Sequence, residues 1–502
     1  MLQFESGETT FGSQYSALNY IGAYYKGDTL RKISLVPLSE IKTLAEIEDI
    51  LKSTANSILF ILPKGPYDYE FNMFIDKLQI LLSEKTFYIP IYFTYEEESL
   101  MKIVEDLKNE FQKEQGEKKK TIFDYLGINK NYLHFSLKSK DPIKQNRLNL
   151  ENFYGLLEVG NSNEIQNPII AIVTYYDSLG VISDLPSGIN SNGSGVIALL
   201  EIIRILSKFY ENYGNALKYD ILFVMTSAGN LNFEGTQHFL NNLEPSISEN
   251  LHYVLCLDSL ASLSEEKLYL HLSRFPKEFE ESSNRLYKIF NLTSQNMNID
   301  LEYNKKKIFL TNKVVPWEHE QFSKKKILSA TLSSKKDPFL HDFNRTLMTD
   351  ITMNTTILKR NIKFITESLL SFLFDYNINK FAIFKNDENL IDDNNVNSII
   401  NYLKKTSRFP LSIEKGSNFN NDLYNYLNIY LKKVKRQSFE FSEIKFYKHN
   451  SGNLKVFNVK SKMMDLYLLL TISSYLIVLF IYSKGIFKFF SDLKGIFQTE
   501  DD

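Results

Sequence analysis

Four short segments hold the residues best placed to do chemistry. Thr174-Tyr175-Tyr176-Asp177 closes an apolar run. Pro186-Ser187-Gly188-Ile189-Asn190-Ser191-Asn192-Gly193-Ser194-Gly195 opens a long helical pattern. Met225-Thr226-Ser227-Ala228-Gly229-Asn230 closes a second apolar run and leads into Glu234-Gly235-Thr236. Cys256-Leu257-Asp258-Ser259 closes a third. Polar residues at the ends of buried strands are where α/β sheets hold their ligands. A nucleophile reading fails: Asn192-Gly193-Ser194-Gly195 lacks the spacing of a Gly-x-Ser-x-Gly elbow, and Cys256 sits inside an apolar strand pattern, as a small buried hydrophobe does. Gly193-Ser194-Gly195 before a helix could accept an anion, but one such turn is a weak phosphate signal. Trp317-Glu318-His319-Glu320 lacks the second histidine of a His-Glu-x-x-His site, so His319 reads as structural.

The elements that must position these residues are legible. Pro168 to Val173, Tyr219 to Met225 and Tyr253 to Leu257 are continuous apolar runs of strand length. Gly195 to Tyr210 repeats apolar residues at Val196, Leu199, Leu200, Ile203 and Leu206, which is helical spacing, and a second helix is expected near Thr236 to Leu243. Strands alternating with helices predict a sheet covered on both faces. Upstream, Ser57 to Pro63 and Phe87 to Phe93 read as strands flanking a helix at Tyr69 to Leu82, and Lys108 to Lys120 reads as a solvated, charge-dense stretch. Leu423 to Val434 reads as an amphipathic helix. The expected organisation is an N-terminal α/β region at 1–150, a core at 151–375, a membrane-proximal region at 376–462, a membrane-spanning helix at 463–483 and a short tail at 484–502.

With 502 residues, 43% hydrophobic and 24% charged, the chain can bury a large core, and its net charge of −2 offers no whole-chain field for nucleic acid. One cysteine excludes an intrachain disulfide and a cysteine-based zinc knuckle. Leu466 to Tyr482 contains no charge, proline or glycine, and with Met463 and Met464 approaches the roughly 20 residues that cross a bilayer core. Lysines on both sides leave orientation open. Met1-Leu2-Gln3-Phe4-Glu5-Ser6 has neither a basic start nor an apolar run and does not read as a signal peptide.

The order of the strand-end segments resembles the two-zinc aminopeptidases. That resemblance implies a three-layer α/β sandwich with a central, mostly parallel mixed sheet, here with one C-terminal transmembrane helix added. Such enzymes hold two zinc ions with His and carboxylate ligands and use a glutamate as general base. By the resemblance, Tyr175 stands where the first His belongs, Ser191 where the bridging Asp belongs, Gly229 at the general base and Asn230 at the ligand Glu beside it. Asp258 matches a ligand, His341 the late His, and Asp177 the Asp that orients the first His. The expectation is a degenerate site with no metal, no cofactor and no catalysis, since loss of the base alone costs about 10²–10⁴ in rate.

At finer grain the chain resembles the nicastrin–nicalin family. Phe11 to Asn19, Tyr176 to Val181, Ser191 to Gly195, Asn232 to Thr236, Val254 to Asp258, Trp317 to Glu320 and Val456 to Lys460 carry that resemblance. It implies a single-pass type I protein of the endoplasmic reticulum membrane with a large lumenal domain. It further implies a non-enzymatic role in the BOS complex of the multi-pass translocon. The partners would be a nodal modulator-like protein and a small multi-pass membrane protein, with the Sec translocon and the ribosome engaged indirectly. The family carries a leader, so one is expected ahead of Met1; taken literally, the sequence would instead be tail-anchored and cytosolic. In a lumenal domain, Asn291, Asn344 and Asn354 become glycan acceptors. Two alternatives are a membrane-anchored zinc aminopeptidase rebuilt on Asp177, Asp258 and His341, and a nicastrin-like substrate gate of a protease complex.

Overall fold

The computed structural model describes residues 1–13, 18–21, 23–25, 33–53, 57–114, 132–137, 142–159, 167–185, 187–214, 217–263, 266–274, 280–338, 346–374, 390–448, 453–459 and 462–497. The chain divides into two compact units that are interleaved in sequence. One takes residues 1–14, 65–88 and 141–450; the other takes 15–64, 89–140 and 451–502.

The larger unit is built on an eight-stranded sheet. Its strands are β1 (Leu148–Leu157), β2 (Ile169–Tyr175), β3 (Asp220–Thr226), β4 (Leu251–Leu257), β5 (Leu268–Ser273), β6 (Leu301–Lys306), β7 (Ser329–Ser333) and β8 (Lys432–Phe441). The order across the sheet is β6-β5-β7-β4-β2-β3-β1-β8. β2 lies parallel to both β3 and β4, and β4 parallel to β7; β1 runs antiparallel to β3 and β8, and β5 antiparallel to β7. Its helices include α1 (Gly193–Tyr213), α2 (Glu234–Asn241), α3 (Glu280–Asn296), α4 (His319–Lys324), α5 (Thr355–Leu373), α6 (Asp393–Lys405) and α7 (Asn418–Tyr430), besides the expected upstream helix Tyr69–Ser83.

Strand side chains alternate faces, so a fully apolar strand must be covered twice. Ile170 and Ile172 of β2 join Phe223 and Leu255 beneath α1 and α5. Ile169, Ala171 and Val173 point the other way, into a cluster closed by Phe239 of α2 and Phe322 of α4. The result is the expected three-layer α/β sandwich. A side chain at Gly195 would place its Cβ 2.7 Å from the Leu257 carbonyl oxygen and 2.8 Å from Thr174 Oγ1. Only glycine lets α1 begin against the ends of β2 and β4.

Four expectations change. Residues 390–448 are not a separate membrane-proximal region: Val396, Ile400, Leu403, Leu423 and Leu427 join the main core, and β8 pairs with β1. A narrow apolar stripe suffices for a helix buried on one side, so the asparagine-rich composition concealed it. The 423–434 helix in fact spans Asn418–Tyr430, and Val434 lies in β8. The run from Phe87 to Phe93 is not one strand. Thr86–Phe87 pairs with Thr9–Ser13 in the larger unit, whereas Ile91–Tyr95 pairs with Ser57–Leu62 in the smaller one. Pro90 marks the break, since it has no amide hydrogen to continue a ladder. The first 150 residues are therefore shared between the units rather than forming a region of their own.

The smaller unit contains a parallel four-stranded sheet of Ala23–Tyr25, Ile33–Pro37, Ser57–Leu62 and Ile91–Tyr95. It also contains an antiparallel three-stranded sheet of Lys455–Val459, Tyr132–Leu137 and Leu18–Ile21. Its last element is the helix Lys462–Phe497. The stretch Asp465–Lys488 of that helix is long and apolar enough to cross a membrane, and none of it is buried within the protein. Its 24 residues span about 36 Å, slightly more than a hydrocarbon core of about 30 Å. An apolar surface of this extent is consistent with a single membrane span.

Candidate functional site

The strand-end residues converge beyond the carboxyl ends of the parallel strands. Tyr175 is the last residue of β2 and Asp177 follows it. Gly229 and Asn230 lie in the loop after β3, Asp258 follows β4, and Ser191 sits in the turn before α1.

The Tyr175 ring fills the centre. It is 4% exposed, packs edge-on against Phe233 at 5.6 Å between centroids, and shares a small apolar cluster with Phe233 and Val315. Its hydroxyl donates to Asp258 Oδ1 at 3.2 Å. A Cβ built on Gly229 would lie 2.1 Å from Tyr175 Cγ and 2.3 Å from Cδ2. The two substitutions are one steric event: the phenol occupies the space into which a side chain at 229 would project.

Asp177, wholly buried, has been given a different task. Its carboxylate accepts from the backbone amides of Gly229 (2.7 Å) and Asn230 (3.2 Å) and from Asn230 Nδ2 (3.2 Å). Burial raises its pKa, and these hydrogen bonds pull the other way by favouring the charged form. Asp177 thus holds the post-β3 loop, in which Ala228, Asn232 and Phe233 all adopt left-handed φ of 54–57°. Without this support such backbone would be costly.

Ser191 is engaged just as fully. Its amide and hydroxyl donate to Asp350 Oδ2 at 2.8 and 2.6 Å, while the Asn190 amide donates to Oδ1 at 2.9 Å. The Ser191 carbonyl accepts from the amide and hydroxyl of Ser259, and Ser259 Oγ also donates to Asp258 Oδ1 at 3.1 Å. Behind this turn lies Arg408, fully buried. It donates to the carbonyls of Tyr176, Ser187 and Gly188 and to Asn192 Oδ1 at 2.6–3.0 Å. Burial lowers its pKa to about 10, so it stays cationic at neutral pH. Asn192 in turn donates to the Asp177 carbonyl.

Asp350 and Arg408 were not anticipated; each lies more than 150 residues from the turn it holds, and nothing local in the sequence marks them. Glu318, named above only as part of Trp317–Glu320, has a role the sequence did not show. It is buried, accepts from Thr226 Oγ1 (3.0 Å) and Thr236 Oγ1 (2.7 Å) through one oxygen, and its other oxygen has no hydrogen-bond partner among the described residues. Burial pushes its pKa up to about 7. His319 is structural as expected: buried, with Nδ1 2.8 Å from Thr331 Oγ1 and its pKa lowered to about 3 by desolvation. Cys256 is buried, with its thiol pKa raised by desolvation. Of the glycan candidates, Asn291 is exposed on α3, and Asn354 caps α5 by accepting from the amides of Thr356 and Ile357. His341 and Asn344 lie outside the described residues.

These residues do not fit a pair of zinc ions. Among the described residues no group of three or more His, Cys, Asp or Glu side chains is arranged to hold a metal. Asp177 is spent on backbone amides, Ser191 is tied to Asp350, and the Tyr175 ring fills the space beside Gly229. The cluster acts as a polar pillar joining three strand ends.

Peptidase family M28 matches residues 154–306. The chain is 25% identical to a BOS complex subunit of Danio rerio over 516 aligned positions, covering 96% of this chain and 88% of that protein. It is 26% identical to nicalin of Caenorhabditis elegans, with coverage of 74% and 68%. Among solved structures, the γ-secretase component nicastrin matches with a TM-score of 0.61 at 10% identity, covering 91% of this chain and 98% of that one. This supports the fold. The chain is thus similar to the nicalins along nearly its whole length, on a peptidase family M28 frame.

Proposed function

We propose that this protein is a non-enzymatic, nicalin-like subunit of a BOS complex, resident in the endoplasmic reticulum membrane with its larger unit in the lumen. There it supports insertion of multi-pass membrane proteins at the Sec channel. A nodal modulator-like protein and a small multi-pass membrane protein are its partners, and the ribosome is engaged indirectly. The observation that carries the reading is similarity over 96% of the chain to a protein named as a BOS complex subunit. The ring of Tyr175 over Gly229 supports the non-enzymatic part, because it closes the space a general base would need. In this orientation Asn291, Asn344 and Asn354 face the glycosylation machinery.

The test is purification of the tagged full chain in mild detergent, with mass spectrometry of the recovered proteins and zinc analysis of the same sample. Recovery of the two partners with Sec subunits, and zinc far below one per chain, is the expected result. Stoichiometric zinc with aminopeptidase activity would overturn the non-enzymatic reading. Recovery of an intramembrane protease in place of the two partners would overturn the complex.

A further inference from the structure

The segment from β6 to β7 is rich in exposed positive charge. Lys305, Lys306, Lys307, Lys313, Lys325 and Lys326 are all exposed, and among the described residues none of them enters an ion pair. Between residues 303 and 336 the only carboxylates are Glu318 and Glu320, and both are buried. The same segment exposes apolar side chains: Phe309 is 55% exposed, Leu310 69% and Val314 43%.

This loop is held in place. The Asn312 amide donates to the Phe309 carbonyl, closing a turn at the tip. Asn232 Nδ2 donates to the Lys313 carbonyl at 2.9 Å, and Asn232 Oδ1 accepts from the Val315 amide at 2.9 Å. Lys324 Nζ donates to the Asn312 carbonyl at 2.8 Å. An apolar tip fixed in advance loses less entropy on binding than a free loop would. Beside it lies a cleft of about 740 Å³ with Leu231, Leu240, Phe441 and Ile444 in its lining. Its lining also includes Glu234 and Glu443, and the charge of Glu443 joins burial in raising the Glu234 pKa.

We infer that this cleft and its lysine-rimmed loop form a docking surface for a segment of another protein. That segment is amphipathic, with carboxylates facing Lys307, Lys313 and Lys325, apolar side chains entering the cleft, and a lysine or arginine reaching Glu234 and Glu443. Charge of both signs within one cleft favours one direction for such a segment. A flat anionic lipid surface would match the lysines but would leave the concave, partly acidic cleft unfilled. The inference rests on the protein working within a complex, and it assigns a surface to that work.

The experiment places p-benzoylphenylalanine at Leu310 in the full-length chain in its native membranes, with photolysis and mapping of the crosslinked product. The expected product is a crosslink to an acidic, apolar-containing segment of a protein that also co-purifies with the chain. The triple variant Lys307→Glu, Lys313→Glu, Lys325→Glu should lower its yield by about tenfold or more. Reversing the mapped carboxylates to lysine should restore the yield in that variant. These lysines are exposed, so recovery of the complex on a tag elsewhere reports separately on whether it assembles. Crosslinking to lipid alone, to a segment without carboxylates, or with unchanged yield in the triple variant overturns the surface. So does absence of any crosslink while the complex is recovered. Absence of the complex itself would count against the proposed function as well.

Discussion

Gly229→Ala should be damaging in the native chain and nearly harmless once Tyr175 is alanine too. The new Cβ would sit 2.1 Å from Tyr175 Cγ, whereas carbon atoms in contact lie about 3.5–4.0 Å apart. Relief requires a displacement of roughly 1.5 Å. The ring has little room to give: Phe233 packs against it edge-on, Val315 closes the same cluster, and its hydroxyl is tied to Asp258. Gly229 is not among the left-handed glycines, so the penalty is one of space rather than backbone conformation. Overpacking costs about 1–3 kcal/mol where neighbours can adjust, so about 3 kcal/mol is expected here.

Tyr175→Ala alone should cost a similar amount, about 3 kcal/mol, by opening a cavity. The double variant should be no worse than Tyr175→Ala, because the cavity accepts the methyl group. The coupling in the double-mutant cycle is then about 2–3 kcal/mol. The assay is thermal unfolding of the full chain in detergent at a fixed scan rate, in which about 3 kcal/mol corresponds to a fall of roughly 4 °C in a unit of this size. Equal falls for Gly229→Ala in both backgrounds, or none in either, would refute the steric argument.

Three further expectations follow from the same cluster and the apolar helix. Ser191→Asp would set a second carboxylate against Asp350, whose Oδ2 now accepts from Ser191 Oγ at 2.6 Å. It should destabilise by about 2–4 kcal/mol at pH 7.5 and by less at pH 5, where a shared proton relieves the pair; Ser191→Asn, being neutral, should show no such pH dependence in thermal unfolding. Glu318→Gln tests the raised pKa of about 7. The folded state keeps this proton after the unfolded chain has lost it near 4.5, so the native contribution is full below about 4.5 and is lost as pH rises through 7. The variant should therefore gain about 2–3 kcal/mol relative to the native chain between pH 4.5 and 8, and parallel melting curves at both ends would refute it. Finally, deletion of Asp465–Lys488 should release the protein from membranes at alkaline pH.

The layers of the sandwich were legible because β2, β3 and β4 are apolar on both faces, and only a doubly covered sheet needs such strands. The strand-end positions could be read for the same reason: once the strands are placed, Tyr175, Asp177, Gly229, Asn230 and Asp258 fall at their ends. What holds them could not be read. Arg408 lies in an asparagine- and lysine-rich stretch that reads as peripheral, and Asp350 follows no pattern that links it to Ser191. These are contacts between distant segments, and periodicity carries information only along one segment. The exchange of Phe87 and Ile91 between two units was hidden likewise, because an apolar run reports burial without naming the sheet that buries it.

The geometry also shows which groups hold the strand-end carboxylates of this peptidase-type frame. In a metal site, strand-end carboxylates repel one another unless cations hold them together. Here each carboxylate has received donors of another kind: backbone amides and Asn230 for Asp177, the Tyr175 and Ser259 hydroxyls for Asp258, the Ser191 turn for Asp350. Arg408 supplies a buried cation behind the turn, and it bonds carbonyls and an amide oxygen rather than a carboxylate. Restoring a single ligand would break one of these arrangements before it could build another. Gly229→Glu meets the phenol, and Ser191→Asp meets Asp350. A return to metal binding therefore needs several simultaneous changes, each destabilising by itself.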